Sequence, residues 1–283
     1  MELEFVKMHG IGNDFIMLDD RNRLIQSHIS YSTLAEKLCD RRFGIGGDGL
    51  ILAVPSQDHD IGFRIFNSDG TEPEMCGNGM RCFAKYLFER QIITTPTMRV
   101  ETLAGTIIPE VILDSGQQVT SVRVDMGEPV LEAGKVPFVS DMDIALMDKL
   151  YLEDQVLSVT AVSMGNPHAV IFVDQVDQVD IAAVGRQVEV HSRFPEKTNV
   201  EFVQVISDSE LDMRVWERGA GITLACGTGA CATLVAAHLN KLTSHKALIH
   251  LAGGDLEIEW NRENNHLYKT GPAEESFSGR VRV

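Results

Sequence analysis

Two short stretches place a thiol where it can do chemistry. MCGNGMRC, residues 75–82, sets Cys76 before Gly77-Asn78-Gly79, and ACGTGAC, residues 225–231, sets Cys226 before Gly227-Thr228-Gly229. Each is followed by a stretch with helical character, GNGMRCFAKYLFER and GTGACATLVAAHLNK. The first residues of a helix carry backbone N–H groups without intrahelical partners, and the positive end of the helix dipole lies there. Such a place favours a thiolate over a thiol, which predicts a lowered pKa at both cysteines. It also forms a cradle for a carboxylate, and the glycines let that ligand approach closely.

The surroundings of the two thiols repeat as well. FRIFNSDGTEPEMCGNG (63–79) aligns without gaps on MRVWERGAGITLACGTG (213–229), so that Arg64 falls on Arg214, Phe66 on Trp216 and Cys76 on Cys226. GNDFIMLD (12–19) matches GNPHAVIFVD (165–174) in the same order, with Asn13 falling near Asn166. Two ordered matches predict two homologous halves with a junction near Met126–Pro129. Halves of this kind commonly pack about a pseudo-two-fold axis, so the two thiols are expected to flank one bound molecule. Inverting a carbon stereocentre needs that arrangement: a base takes the α-proton from one face and an acid returns a proton to the other. A cysteine hydrolase would use one nucleophile with a histidine such as His168 and would leave the second thiol unexplained. A peroxidase or redox sensor would pair a reactive with a resolving cysteine.

The elements that must hold the thiols are mostly strands. LEFVKMH, FIMLD, GLILAVP, FRIFN, TMRVET, GTIIPEVIL, SVRVDMG, AVIFVD, NVEFVQVI, LDMRVWE, ALIHLAG, DLEIEW and GRVRV alternate with a period of about two. YSTLAEKLCDRR and IAAVGRQVEVH are further helix candidates, and Met80, Phe83, Ala84, Leu87 and Phe88 form one buried helical stripe. Many strands around few helices indicate an α+β fold in which sheets wrap helices. GIGGDG (44–49) fits the dinucleotide fingerprint G-x-G-x-x-G, but a helical pattern precedes it and a strand follows, so it reads as a turn.

Composition narrows the partners. The 283 residues carry a formal charge of −16 and are 44% hydrophobic, which argues against nucleic acid or an anionic membrane surface and for a globular core. No signal peptide or apolar run long enough to cross a bilayer is expected. Five cysteines at 39, 76, 82, 226 and 231, without zinc-finger or C-x-x-C spacing, point to a reducing, cytoplasmic setting and to no metal. Cys39, Cys82 and Cys231 read as buried apolar residues.

With these motifs assembled, the chain resembles the diaminopimelate epimerase family, through KMHGIGNDFIMLD, NSDGTEPEMCGNGMRC, GNPH, TNVEF and ERGAGITLACGTGAC, over most of its length. The resemblance implies two pseudo-symmetric β/α halves, each a sheet wrapped around a central helix, with the active site in the cleft between them. It divides the chain into residues 1–126, with the final strand 273–283 returning to them, and residues 127–272. It implies cofactor-independent conversion of LL-2,6-diaminopimelate to the meso form, for lysine and peptidoglycan precursors, by a homodimer. By motif, Cys76 and Cys226 would be the catalytic base and acid, with His168 and Glu217 tuning them. Asn13, Asn67, Asn166, Asn199, Glu217 and Arg218 contact substrate, and Gly77-Asn78 and Gly227-Thr228 supply N–H cradles. Arg218 would hold the carboxylate at the non-reacting end. Some relatives carry glutamine at the place of Gly49, where this chain offers only backbone. A proline-type racemase on the same fold is the nearest alternative, and a second carboxylate subsite at Arg218 separates the two. A thiol redox protein predicts no α-proton exchange, and a non-catalytic binding module predicts binding that survives loss of both thiols.

Overall fold

Apolar alternation makes strands of nearly every predicted segment, and the computed structural model describes all of residues 1–283. The chain divides into two compact units, Met1–Asp125 with Thr270–Val283, and Met126–Lys269.

The first unit runs β1 (Glu2–Gly10), β2 (Asn13–Asp19), α1 (Leu24–His28), α2 (Tyr31–Cys39), β3 (Gly49–Val54), β4 (Ile61–Asn67), α3 (Gly77–Glu89), β5 (Val100–Thr102), β6 (Gly105–Ile107), β7 (Glu110–Leu113) and β8 (Val119–Asp125). The C-terminal strand Glu274–Arg282 pairs antiparallel with β1, and β2 to β6 follow in order across the sheet. β2 and β3 are parallel, joined over α2, which packs on β3 and β4. α3 lies against β1, β2 and the β7–β8 hairpin. Its surroundings bury it nearly all round, Arg81 and Cys82 included, while Phe88 is only half-buried. The single stripe predicted from the sequence is therefore too narrow: a helix with strands on several sides has no solvent face for most of its length.

The second unit repeats the plan with β9 (Asp148–Tyr151), β10 (Val156–Ser163), β11 (Pro167–Phe172), α4 (Ile181–Glu189), β12 (Asn199–Ser207), β13 (Glu210–Glu217), β14 (Gly221–Thr223), α5 (Gly227–Leu239), β15 (Lys246–Leu251), β16 (Gly254–Trp260) and β17 (Leu267–Gly271). The strand order is β17-β16-β15-β13-β12-β11-β10-β9, with β14 on β13. Parallel β11 and β12 are joined over α4 as β2 and β3 are over α2, with His168 opposite Asn199 where Phe15 stands opposite Gly49. α5 packs on β10, β11, β12, β15 and β16 and is buried on every side along its middle.

Ser30 caps α2 by accepting from the Thr33 N–H at 3.2 Å. GIGGDG forms the turn between α2 and β3, opening a strand rather than a helix. The single segment GTIIPEVIL is two strands, because Pro109 cannot donate to a ladder; β6 pairs with β5 and β7 with β8. No helix is long and apolar enough to cross a membrane.

Candidate active site

Cys76 is the N-cap residue of α3. Its backbone is extended (φ −138°), and its sulfur accepts the Gly79 N–H at 3.4 Å. Gly77 and Asn78 follow in the first turn, where N–H groups lack intrahelical acceptors. Gly79 is required by close approach, since a Cβ there would lie 2.8 Å from Ile51 Cδ1. The Cys76 thiol donates to Asn13 Oδ1 at 3.9 Å, and Asn78 Nδ2 donates to the same oxygen at 3.4 Å. Asn13 Nδ2 in turn donates to Asp48 Oδ2 at 2.7 Å. Behind this set lies Arg81, fully buried, donating from Nη1 to Asn78 Oδ1 (2.9 Å) and from Nε to Pro272 O (3.1 Å). Its Nη2 has no hydrogen-bond partner. Burial pulls the guanidinium pKa down, and attraction to Cys82 and Cys76 opposes that. The sequence-predicted Asn67 directs its Nδ2 to Thr71 Oγ1 (2.9 Å) at the exposed end of β4. A side chain at Gly49 would meet Phe66 O at 2.9 Å, so glutamine would not fit there without a shift.

Cys226 caps α5 in the same way, accepting the Gly229 N–H at 3.4 Å, with Thr228 Oγ1 3.5 Å from its sulfur. Three acid–base groups surround it. Glu217, at the end of β13, lies close enough to act on the thiol electrostatically and accepts from Thr223 Oγ1. Glu201 on β12 and His168 on β11 are both fully buried and joined by a 2.7 Å bond from His168 Nδ1 to Glu201 Oε1. His168 Nε2 bonds Asn166 Oδ1 at 3.0 Å. Asn199 is buried: its Nδ2 donates to Pro167 O (3.0 Å) and its Oδ1 accepts the Arg218 N–H (2.9 Å). The Arg218 guanidinium is exposed, with Nη1 donating to Glu196 O at 3.0 Å.

The electrostatics correct the expectation of two acidified thiols. Burial, then the Glu217 and Glu201 carboxylates, push Cys226 well above the ordinary thiol range, against the hydrogen bonds from Thr228 and Gly229. Desolvation and two facing acids outweigh a helix end worth about 1 kcal/mol. Burial, then Glu201, raise Glu217 too, against Thr223, His168 and the Cys226 thiol. Cys39, Cys82 and Cys231 are buried, and burial pushes each up to about 12, which makes them structural.

His168, Glu201 and Cys226 are the set that could hold a metal, their donor atoms lying within 4.8 Å of one another. Two of these atoms, His168 Nδ1 and Glu201 Oε1, are already joined by the 2.7 Å hydrogen bond, so the set can share a proton as it stands. Sequence reasoning missed Glu201 and Arg81. The signal for Glu201 was a lone acid between Val200 and Phe202 in an apolar strand, and for Arg81 a cation inside the helix buried by its own sheet.

The halves carry the same capped thiol, and comparison with known proteins agrees with that plan. The chain spans the full length of a *Desulforapulum autotrophicum* protein named diaminopimelate epimerase, at 59% identity and 100% coverage of each chain. A relative of the same name from *Heliobacterium modesticaldum* is 54% identical over 99% of each chain, and one from *Methanococcus maripaludis* 46% identical over 99% of this chain and 100% of its own. Among solved structures, a *Bacillus anthracis* phenazine biosynthesis protein of the PhzF family superposes with a TM-score of 0.72 at 14% identity, covering 100% of both chains. A hydroxyproline epimerase from *Agrobacterium vitis*, bound to trans-4-hydroxy-L-proline, gives 0.69 at 15%, covering 99% of this chain and 92% of its own. These two show the fold alone. The family model described as Diaminopimelate epimerase matches residues 5–132 and 160–275, and with these relatives it shows that the chain belongs to the diaminopimelate epimerase family.

Proposed function

We propose that this chain converts LL-2,6-diaminopimelate to meso-diaminopimelate by proton transfer at one α-carbon, with no cofactor. The observation that carries the reading is the duplicated cap, one cysteine in each unit at a Gly-rich helix start, in a chain of this family. In this account Cys76 takes the α-proton from one face and Cys226 delivers a proton to the other. Cys226 suits the donor role because burial and two carboxylates keep it a thiol. The N–H groups of Gly77-Asn78 and Gly227-Thr228 stabilise negative charge that builds on the α-carboxylate as the proton leaves. Asn13, Asn67, Asn166 and Asn199 bind the zwitterion's ends, and Arg218 takes the distal carboxylate, which proline lacks. Glu217 and His168 set the state of Cys226.

The product serves lysine and peptidoglycan precursor synthesis in this reading. Five unpaired cysteines accord with a reducing, cytoplasmic setting. A homodimer is proposed on the family resemblance, and sedimentation of the reduced protein tests it.

The experiment is proton NMR of LL-diaminopimelate with the reduced protein in D₂O and no added cofactor. The expected result is loss of the α-proton signal with the meso isomer appearing. Persistence of that signal, with exchange of proline instead, would turn the reading to a proline-type racemase.

A further inference from the structure

Glu201 was not among the residues singled out from the sequence, yet it is a fully buried carboxylate beside Cys226. The repeat puts Ile51 at the equivalent place in the first unit, 150 residues earlier. The geometry agrees: a Cβ on Gly79 would meet Ile51 Cδ1 at 2.8 Å, and one on Gly229 would meet Glu201 Oε1 at 2.6 Å. Both side chains therefore lie beneath the third residue after the capping cysteine. An isoleucine packs that place without penalty. A fully buried carboxylate there costs free energy unless it is paired, and Glu201 Oε2 has no partner at all. Its other oxygen holds His168, which itself stands where the first unit has Phe15. Two apolar positions of the repeat have been exchanged for an acid and an imidazole beside one of the two thiols.

We propose that Glu201 is a positioning residue for the reaction at Cys226: it fixes His168 and places a carboxylate oxygen within 4.8 Å of the Cys226 sulfur. The groups facing that sulfur are Glu217 from β13, Glu201 from β12, His168 from β11, and the Thr228 hydroxyl and Gly229 N–H from α5. The carboxylates act one way, retaining the proton, and the two α5 donors act the other. Glu201 reinforces Glu217, and through His168 it also fixes the Asn166 amide, 3.0 Å from Nε2. The significance of the retained proton, delivery to the substrate, rests on the epimerase reading. Retention itself does not.

The test is alkylation of the reduced protein with iodoacetamide from neutral to alkaline pH, with Cys76 and Cys226 peptides quantified separately by mass spectrometry. In Glu201→Gln, Cys226 should label about tenfold faster near neutral pH, the effect of one pKa unit, while Cys76 changes little. Glu201→Asp keeps the charge and should restore slow labelling. Glu201→Ile, which copies the first unit, should behave as Glu201→Gln. Unchanged Cys226 labelling in Gln and Ile variants, or an equal rise at both cysteines, would overturn the proposal. If those variants do not fold, the wild-type profile decides: slow Cys226 labelling until alkaline pH supports it, and rapid labelling near neutral pH overturns it. None of these readouts needs turnover, so absence of diaminopimelate exchange would count against the epimerase reading alone. Where turnover is present, Glu201→Gln should move the alkaline limb of kcat/KM to lower pH, as loss of a donor proton requires.

Discussion

The helix starts at Cys76 and Cys226 share an extended capping cysteine, a 3.4 Å N–H···S bond from the third residue on, and a glycine that a side chain would displace. They differ in what stands behind the sulfur. Cys76 has the buried Arg81 guanidinium and the amides of Asn13 and Asn78; Cys226 has Glu217, Glu201 and His168. In the repeat, Ile51 corresponds to Glu201, Asn67 to Glu217 and Arg81 to Cys231. Duplication thus supplies the geometry twice, while a few inner-layer substitutions give the two copies opposite charge. In the proposed mechanism that difference is what separates the base from the acid.

The comparison breaks most visibly if either thiol is dispensable. Cys76→Ala and Cys226→Ala should each lower turnover by roughly 10²–10⁴-fold, the usual worth of a positioned acid or base, with circular dichroism unchanged. A single variant that keeps most of its turnover would end the two-thiol account. Next come the matched glycines. A methyl on Gly229 would land 2.6 Å from Glu201 Oε1 and 3.2 Å from the Cys226 sulfur, whereas one on Gly79 has its one tight contact with the end of the Ile51 side chain, at 2.8 Å. Gly229→Ala should therefore cost about 1–3 kcal/mol in denaturant unfolding and most of the turnover, and Gly79→Ala clearly less of both. Equal losses would mean that the inner layers are not as different as described.

Arg81 sharpens the contrast from the other side. Arg81→Met keeps length and removes charge, and should slow Cys76 alkylation about two- to fivefold without altering Cys226. A change at Cys226 of the same size would indicate general disturbance. One further effect is common to both units. Cys39, Cys82 and Cys231 are raised from 9.0 to about 12 by burial, so their protonated forms stabilise the fold fully below pH 9. That stability is lost as pH rises from about 9 towards 12, because the unfolded chain ionises first. The denaturant midpoint should be level up to the lower of these values and fall beyond it, and a midpoint that stays level throughout would contradict the assignment.

Much of this was readable from residue order. The repeat, both capped helices and most strands follow from periodicity and from Cys-Gly-x-Gly, since these depend on local conformation alone. The direction of the Cys226 shift did not follow, because a helix start says where N–H groups point and not how deeply the sulfur is buried. Glu201 and Arg81 stayed hidden for a related reason. In strands and helices covered on more than one side, a charged residue has the same spelling as a surface one, and only packing shows that Glu201 replaces an Ile51. Pro109 could have divided GTIIPEVIL at once, and β9 went unseen because it is itself the short, charged DKLY, set off from β10 by LEDQ.

The most direct test of the two-thiol claim follows the isotope rather than the rate. LL-diaminopimelate is turned over in D₂O to low conversion, the LL and meso pools are separated, and deuterium is located in each. Opposed thiols, with the donor sulfur exchanged against solvent, predict meso product deuterated at the inverted carbon and remaining LL substrate still protiated. Meso product that keeps the substrate's own proton would show one group serving both faces and would contradict the account.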